Sequence, residues 1–297
     1  MPPQTPSVQS RFFSAPDGLR LHVRDYGPAD SFLTPVVCLP GLSRNALDFE
    51  PLARHLAQNG AGPARRVVVL DYRGRGLSDQ DANWRNYNMS VEGGDILAVL
   101  TACGIEQAAF VGTSRGGMHV MALSATRPAL IKAAVLNDIG PVLEAKGLAR
   151  IRSYVGKLPT PASWLDAVDL LKHIGSTHFT ALNAEDWEHY ARSSFEEKHG
   201  RFQVRYDTRL LNTLAHLDLE APLPQLWPQF EGLRHVPLLI LRGSNSDLLS
   251  AATLEQMQQR HPDCATYIVE GQGHAPLLVD APSVGRIADF IAAADVA

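Results

Sequence analysis

Cysteine is scarce in this chain: its 297 residues include only three, Cys38, Cys103 and Cys264, and these lie far apart. An odd and sparse set does not form a disulfide framework, and no Cys-x-x-Cys pair indicates a metal site. We expect all three to behave as small buried hydrophobic residues. The sequence therefore argues against a disulfide-rich domain and predicts no metal.

The chain also lacks a block of basic residues and a long apolar run. Charged residues make up 20% of the sequence, and the formal net charge is −4. No nucleic acid or anionic membrane is expected as a partner. No run reaches the roughly 18 apolar residues of a membrane span, and the polar start MPPQTPSVQSR is not a secretory signal. We expect a cytoplasmic protein with a small-molecule substrate. A homodimer is one of the possible oligomeric states.

What the chain does have is an alternation of apolar strands and helices. Two strand-like runs around Pro16-Asp17-Gly18 predict a β-hairpin. Four apolar strands then alternate with helical segments; they are PVVCLPG, RVVVLDYRG, QAAFVGTS and IKAAVLNDIG. Strands that are apolar throughout are typical of a parallel sheet covered by helices on both faces. The sequence predicts an α/β fold.

The alternation stops after Gly140-Pro141. Residues 141–232 show helical periodicity, no convincing strand and three of the four tryptophans. Strands and helices resume at 235. We therefore predict a core domain of residues 1–140 and 233–297 with an all-helical cap, 141–232, inserted into it. Its aromatic residues suit either a core or a substrate pocket.

The stretch FVGTSRGG places Ser114 between a strand and a helix. Glycines at 112 and 116 allow a tight turn, because they carry no Cβ atom that would clash as the chain reverses. Such a turn exposes the serine hydroxyl at a helix N-terminus, where backbone N–H groups point outward. Ser114 is the predicted nucleophile.

A serine nucleophile needs a base and an acid that orients the base. In an α/β sheet these groups gather at the carboxyl ends of the strands. The strand 236–242 is followed by GSNSD, which contains Asp247, and the strand 265–270 by GQGH, which contains His274. These two residues are the predicted acid and base.

The sequence resembles the α/β-hydrolase superfamily over nearly its whole length. The resemblance is carried by five motifs in the family's order: PGLSRN, DYRGRGLSD, GTSRGG, GSNSD and GQGHAPL. It implies Ser114 as nucleophile, His274 as general base and Asp247 as its orienting acid. It also implies an oxyanion hole formed by the backbone N–H groups of Leu42 and Arg115.

Two positions depart from the family pattern. Pro40 stands where many members have histidine, so the support behind the Leu42 N–H differs. Arg115 replaces the usual small or apolar residue after the nucleophile. We expect its side chain to shape the pocket entrance.

Alternatives to these roles come from the same motifs. Asp138, in LNDIGP, follows the strand after the nucleophile helix, a position that some family members use for the acid; its other interpretation is structural. Asp247 could instead cap a helix. DYRGRG is not a phosphate loop, because no Gly-Lys-Ser/Thr follows it, and His119 is interpreted as helix packing.

The resemblance predicts a serine hydrolase acting on a carboxylic ester or lactone of small to medium size, without a cofactor. One alternative is a C–C bond hydrolase of aromatic breakdown, although Ala275 stands where those enzymes often have an aromatic residue. Another is a ligand-binding receptor with negligible turnover. Dehalogenases and epoxide hydrolases place an aspartate where this chain has Ser114.

Overall fold

The computed structural model describes residues 8–58, 63–215 and 217–295, and its centre is an eight-stranded sheet. The strands of the sheet are β1 (Val8–Ser14), β2 (Arg20–Tyr26), β3 (Val36–Leu39), β4 (Val67–Asp71), β5 (Ala108–Thr113), β6 (Ile131–Asn137), β9 (Leu238–Gly243) and β10 (Cys264–Val269). Their spatial order is β1-β2-β4-β3-β5-β6-β9-β10. β1 and β2 pair antiparallel, as do β2 and β4, and all other pairs are parallel.

Helices cover both faces of this sheet, and further helices lie in the segment between β6 and β9. They are α1 (Glu50–Ala57), α2 (Met89–Ala102), α3 (Arg115–Thr126), α4 (Ala145–Tyr154), α5 (Trp164–Gly175), α6 (Ala184–Ser194), α7 (Leu211–Ala215), α8 (Trp227–Glu231), α9 (Ala251–Arg260) and α10 (Ala281–Asp295). Short 3₁₀ helices occupy Ala46–Phe49, Trp84–Asn86, Pro128–Leu130 and Thr208–Leu210. Within the described ranges, none of the helices combines the length and apolarity needed to cross a membrane.

Alternating side chains of β3 belong to two separate hydrophobic cores, one on each face of the sheet. Val37 and Leu39 of β3 join the cluster that packs against α2, α3 and α9. Val36 and Cys38 join the cluster that packs against α1 and α10. Burial on both faces explains why these strands are apolar throughout, and it confirms the predicted sheet and the β1–β2 hairpin.

The segment predicted to be all-helical also contains a hairpin. Residues 141–232 include α4–α8, but β7 (Phe195–Lys198) and β8 (Arg201–Val204) pair antiparallel within them. His199 and Gly200 join the strands with φ of 53° and 72°, the conformation of a tight two-residue turn. Each strand has only four residues, which is too short for a clear alternation in the sequence. Phe195 and Phe202 point into a local core with Trp187.

The three cysteines are unpaired, as expected. Cys38 and Cys103 are buried, whereas Cys264 is half-buried. The expectation of full burial is thus wrong for Cys264 alone.

Close backbone packing explains the two glycines that flank Ser114. A Cβ atom at Gly116 would lie 1.9 Å from the carbonyl oxygen of Leu39, and one at Gly112 would lie 2.5 Å from the Gly117 nitrogen. Both contacts are with backbone, which cannot rotate away. The turn therefore tolerates no side chain at either position.

We expect Gly116→Ala to lower the free energy of unfolding by about 3 kcal/mol, the upper part of the usual range for overpacking. The matched control is Gly93→Ala in α2, where an added Cβ atom meets nothing within 4 Å. That change should instead raise stability by about 0.5–1 kcal/mol, because alanine favours helix. Urea denaturation of both variants measures the difference. Equal effects would contradict the packing argument.

Candidate active site

Ser114 lies at the junction of β5 and α3, in a backbone conformation that is rare for a residue with a side chain. Its φ is 52° and its ψ is −114°, so the chain turns sharply between strand and helix. The Ser114 N–H donates to the Asn137 carbonyl at 3.0 Å. This bond ties the turn to the end of the neighbouring strand, β6.

His274 lies beside Ser114 on the loop that follows β10. Its Nε2 atom is 2.9 Å from Ser114 Oγ, and its Nδ1 atom is 2.8 Å from Asp138 Oδ2. The aspartate oxygen can only accept, so Nδ1 carries the proton and Nε2 accepts from the serine hydroxyl. The three side chains form one hydrogen-bonded chain from Asp138 through His274 to Ser114.

Asp138 is fully buried, and three donors satisfy its carboxylate. Besides His274, it accepts from the Gly243 N–H at 2.8 Å and from the Ser246 hydroxyl at 2.6 Å. Its position follows from strand register. Thr113 pairs with Asn137, so the residues directly after them, Ser114 and Asp138, emerge side by side at the carboxyl edge of the sheet.

Asp247, the acid predicted from the sequence, is not the hydrogen-bond partner of the His274 imidazole. Its carboxylate forms a two-pronged ion pair with Arg150 of α4, with N–O distances of 2.6 and 2.8 Å. Burial alone would raise the pKa of Asp247, but the hydrogen bonds and charge of Arg150 outweigh it and hold that pKa below its usual range. The prediction of Asp247 beside the histidine is wrong, and Asp138, the alternative, occupies that place.

Asp247 is not the acid because another residue, which lies outside the sequence motif, binds its carboxylate. Asp138 directly follows β6, whereas Asp247 comes four residues after β9 and lies within reach of the inserted segment. Arg150, nearly a hundred residues earlier in the chain, captures its carboxylate. Arg150 Nη2 also donates to the His274 carbonyl at 3.3 Å.

Leu42 and Arg115, the predicted oxyanion-hole residues, both line the cavity that reaches Ser114. Leu42 follows β3, which pairs with β5 so that Leu39 lies opposite Gly112. A Cβ atom at Gly41 would come within 3.7 Å of Ser114 Cβ. The loop after β3 is therefore packed directly against the nucleophile turn.

A buried carboxylate, Glu92 of α2, connects these two segments and was not predicted. Arg75 binds it at 2.7 Å and donates through Nε to the Leu42 carbonyl at 2.8 Å. Arg115, on the other side, binds Glu92 at 2.6 Å, and His119 lies 3.2 Å away. One carboxylate thus holds the side chain of one predicted oxyanion-hole residue and, through Arg75, the peptide of the other.

Titration behaviour follows from this cluster. Burial alone would raise the pKa of Glu92, but the charges of Arg75 and Arg115 outweigh burial and hold that pKa well below its usual range. Burial lowers the pKa of His119 in spite of the nearby Glu92. Arg115 was expected to shape the pocket entrance; it lines the cavity, but its guanidinium is committed to Glu92.

The only sequence signal for this cluster is a glutamate in the helix SVEGGDILAVL, whose other charged residue is Asp95. His119, interpreted as packing, is buried but also hydrogen-bonded, and Arg75 of DYRGRG is wholly buried between the rings of Tyr72 and Tyr87. A charge inside a helix is usually solvent-exposed. The burial of Glu92 becomes visible only when its partners from two other segments are brought to it in the fold.

Ser114 is reached from two cavities. One has a volume of about 520 Å³ and a mostly apolar lining from α3, α4, α7 and the loops around them. The other, of about 70 Å³, lies between His274, Arg44, Asp48 and the aromatic residues Tyr154 and Tyr190. In the part of the chain that the structure describes, no group of three or more His, Cys, Asp or Glu side chains could hold a metal ion.

Comparison with known proteins agrees with this fold. The family model described as "alpha/beta hydrolase fold" matches residues 34–281. The chain belongs to the α/β-hydrolase family. A solved α/β hydrolase from Novosphingobium aromaticivorans is 36% identical, with a TM-score of 0.86 over 96% of this chain and 98% of the other.

Curated relatives place the chain among hydrolases. A 3-hydroxybutyrate-oligomer hydrolase from Cupriavidus necator is 28% identical over 94% of this chain and 96% of its own length. The esterase YbfF from Escherichia coli is 26% identical over 81% of this chain and 86% of its own. The protein is a hydrolase of the α/β-hydrolase family.

We expect Glu92→Gln to lower the free energy of unfolding by about 3 kcal/mol at pH 7, because it leaves the buried Arg75 and the half-buried Arg115 without a charged partner. The folded-state pKa of Glu92 is depressed, so its contribution is complete above the unfolded-state pKa of about 4.3 and fades as pH falls further. The difference between wild type and variant should therefore be constant from pH 7 to 5 and shrink below that.

Urea denaturation across this pH range provides the measurement. Glu188→Gln is the matched control, since Glu188 pairs with Arg192 on an exposed helix face, and it should change stability by less than about 0.5 kcal/mol. A Glu92→Gln effect as small as the control's would show that the buried cluster contributes little.

Proposed function

We propose that the protein is a serine hydrolase that cleaves a carboxylic ester or lactone of small to medium size through an acyl-enzyme on Ser114. The observation that carries the proposal is the hydrogen-bonded chain Asp138–His274–Ser114 at the edge of the sheet. It opens on a cavity of a size typical for ligands, roughly 300–1,000 Å³. The relatives named esterase and oligomer hydrolase support ester chemistry.

In the first half of the proposed reaction, Ser114 Oγ attacks the carbonyl carbon while its proton passes to His274 Nε2. The carbonyl oxygen becomes an oxyanion that accepts from the backbone N–H groups of Leu42 and Arg115. As the tetrahedral intermediate collapses, the imidazolium gives its proton to the leaving alkoxide. The alcohol departs and the acyl group stays on Ser114.

Water completes the cycle by the same route. His274 Nε2 takes a proton from water, whose oxygen attacks the acyl carbon, and then returns the proton to Ser114 Oγ as the acid leaves. Asp138 holds the Nδ1 proton throughout, which fixes the imidazole tautomer and stabilises the positive charge that forms on the ring.

In this proposal residues 141–232 act as a cap over the site. Helix α4 contributes Leu148 and Ile151 to the large cavity, and α7 contributes Leu214. These apolar side chains exclude water, which strengthens the electrostatic interactions within the site. It also favours a partly apolar substrate.

A fluorophosphonate probe tests the nucleophile without a guess about substrate. We expect a covalent adduct on the peptide that contains Ser114, located by mass spectrometry, and none in Ser114→Ala. His274→Ala should remove most labelling, because the hydroxyl then has no base. No adduct on folded wild-type protein would refute the proposal.

A comparison of the Asp138→Asn and Asp247→Asn variants identifies the acid that orients His274. We expect Asp138→Asn to lower kcat for a reactive ester about 10⁴-fold, because an amide stabilises the wrong imidazole tautomer. Asp247→Asn should cost less than about tenfold, since it loses one ion pair but leaves the chain to Ser114 intact. Steady-state kinetics on both variants, with circular dichroism as the folding control, make the comparison. The reverse order would restore Asp247 as the acid.

A further inference from the structure

The two cavities at Ser114 differ in chemistry. Leu42, Ser114 and Ile151 line both, so the cavities meet at the nucleophile. We call them the large lobe, of about 520 Å³, and the small lobe, of about 70 Å³. A substrate bound at Ser114 would therefore place one of its halves in each lobe.

The large lobe is lined mostly by aliphatic side chains. They come from α3, α4, α7 and the loops after β6 and β9: Met118, Ile139, Leu143, Leu148, Leu214 and Leu248. Burying a methylene group in such a lining is worth about 0.8 kcal/mol. The large lobe suits an extended hydrocarbon.

The small lobe has a larger share of polar groups in its lining than the large lobe. Arg44 is bound by the Asp48 carboxylate and lies over the ring of Tyr190 at 4.6 Å. Its remaining bonds go to the hydroxyls of Ser194 at 2.7 Å and Ser193 at 2.9 Å. One N–H of Arg44 Nη1 has no acceptor among the described residues, so it can donate to a ligand hydroxyl or carbonyl.

The proton path decides which half of the substrate enters which lobe. His274 lines the small lobe and not the large one. The imidazolium must reach the leaving-group oxygen to protonate it. The alcohol half therefore belongs in the small lobe, and the acyl half extends into the large one.

We propose that the substrate is an ester of an apolar, medium-chain carboxylic acid with a small polar alcohol, the acyl chain lying in the large lobe and the alcohol against Arg44. This orientation rests on the proposed function. It is a statement about binding, so it can be tested on protein that does not turn over.

The test compares isomeric esters on the Ser114→Ala variant. Methyl octanoate and heptyl acetate have the same composition and differ only in which side of the ester carries the chain. We expect methyl octanoate to bind at least about tenfold more tightly by isothermal titration calorimetry, since each buried methylene contributes about fourfold in affinity. 1-Octanoylglycerol should bind at least as tightly as methyl octanoate, because its hydroxyls can meet Arg44. Equal affinities, tighter heptyl acetate or no binding of either isomer would overturn the proposal.

A cavity-filling variant locates the chain. Leu148→Trp in the same background should remove the preference for octanoyl over butyryl esters, because the larger ring occupies the space of the longer chain. Leu165→Trp, the same change at an exposed position of α5, should preserve the preference. Leu214→Trp fills the same lobe from α7. It should give the result expected of Leu148→Trp, and it replaces that variant if α4 does not tolerate the larger ring. An unchanged preference in both lobe variants would overturn the assignment.

Turnover by wild type separates this inference from the proposed function. If Ser114→Ala prefers methyl octanoate but wild-type protein hydrolyses no ester, the hydrolase proposal fails and the lobe assignment stands. If wild type hydrolyses short esters while the isomers bind equally, the lobe assignment fails and the hydrolase proposal stands.

Discussion

The buried charge of Glu92 is the constraint on which the geometry of the site depends. A carboxylate without contact to solvent is costly unless it is paired, and here two arginines and a histidine surround it. These partners come from the loop after β4 and from α3, while Glu92 itself belongs to α2. The arrangement that satisfies the charge also brings the loop after β3 against the nucleophile turn, because Arg75 donates to the Leu42 carbonyl.

Close packing at two glycines also fixes the position of the nucleophile turn. The cluster fixes the outer side of the turn, whereas Gly112 and Gly116 allow β5, α3 and β3 to approach at backbone distance beneath it. The φ of 52° at Ser114 is unfavourable for a residue with a Cβ atom. The surrounding contacts compensate for that strain, so the hydroxyl is held in place before any substrate arrives.

Much of this architecture could be predicted from the sequence, and the failures share a cause. The strands and the turn at Ser114 have strong local signals: apolar runs, flanking glycines and a helix directly after. His274 was likewise recognisable from its position after a strand. The acid was not, because Asp138 and Asp247 both follow strands and the choice depends on Arg150, a residue distant in the chain. The role of Glu92 was not predicted for the same reason, because its partners are distant in the sequence and adjacent only in the fold.

The ion pair between Arg150 and Asp247 links the inserted segment to the site mechanically. Arg150 belongs to α4, yet it also donates to the carbonyl of His274 itself. A displacement of α4 away from the sheet would uncover the Asp247 carboxylate and remove a restraint on the backbone of the histidine. Arg150 therefore couples the position of α4 to the backbone of the histidine.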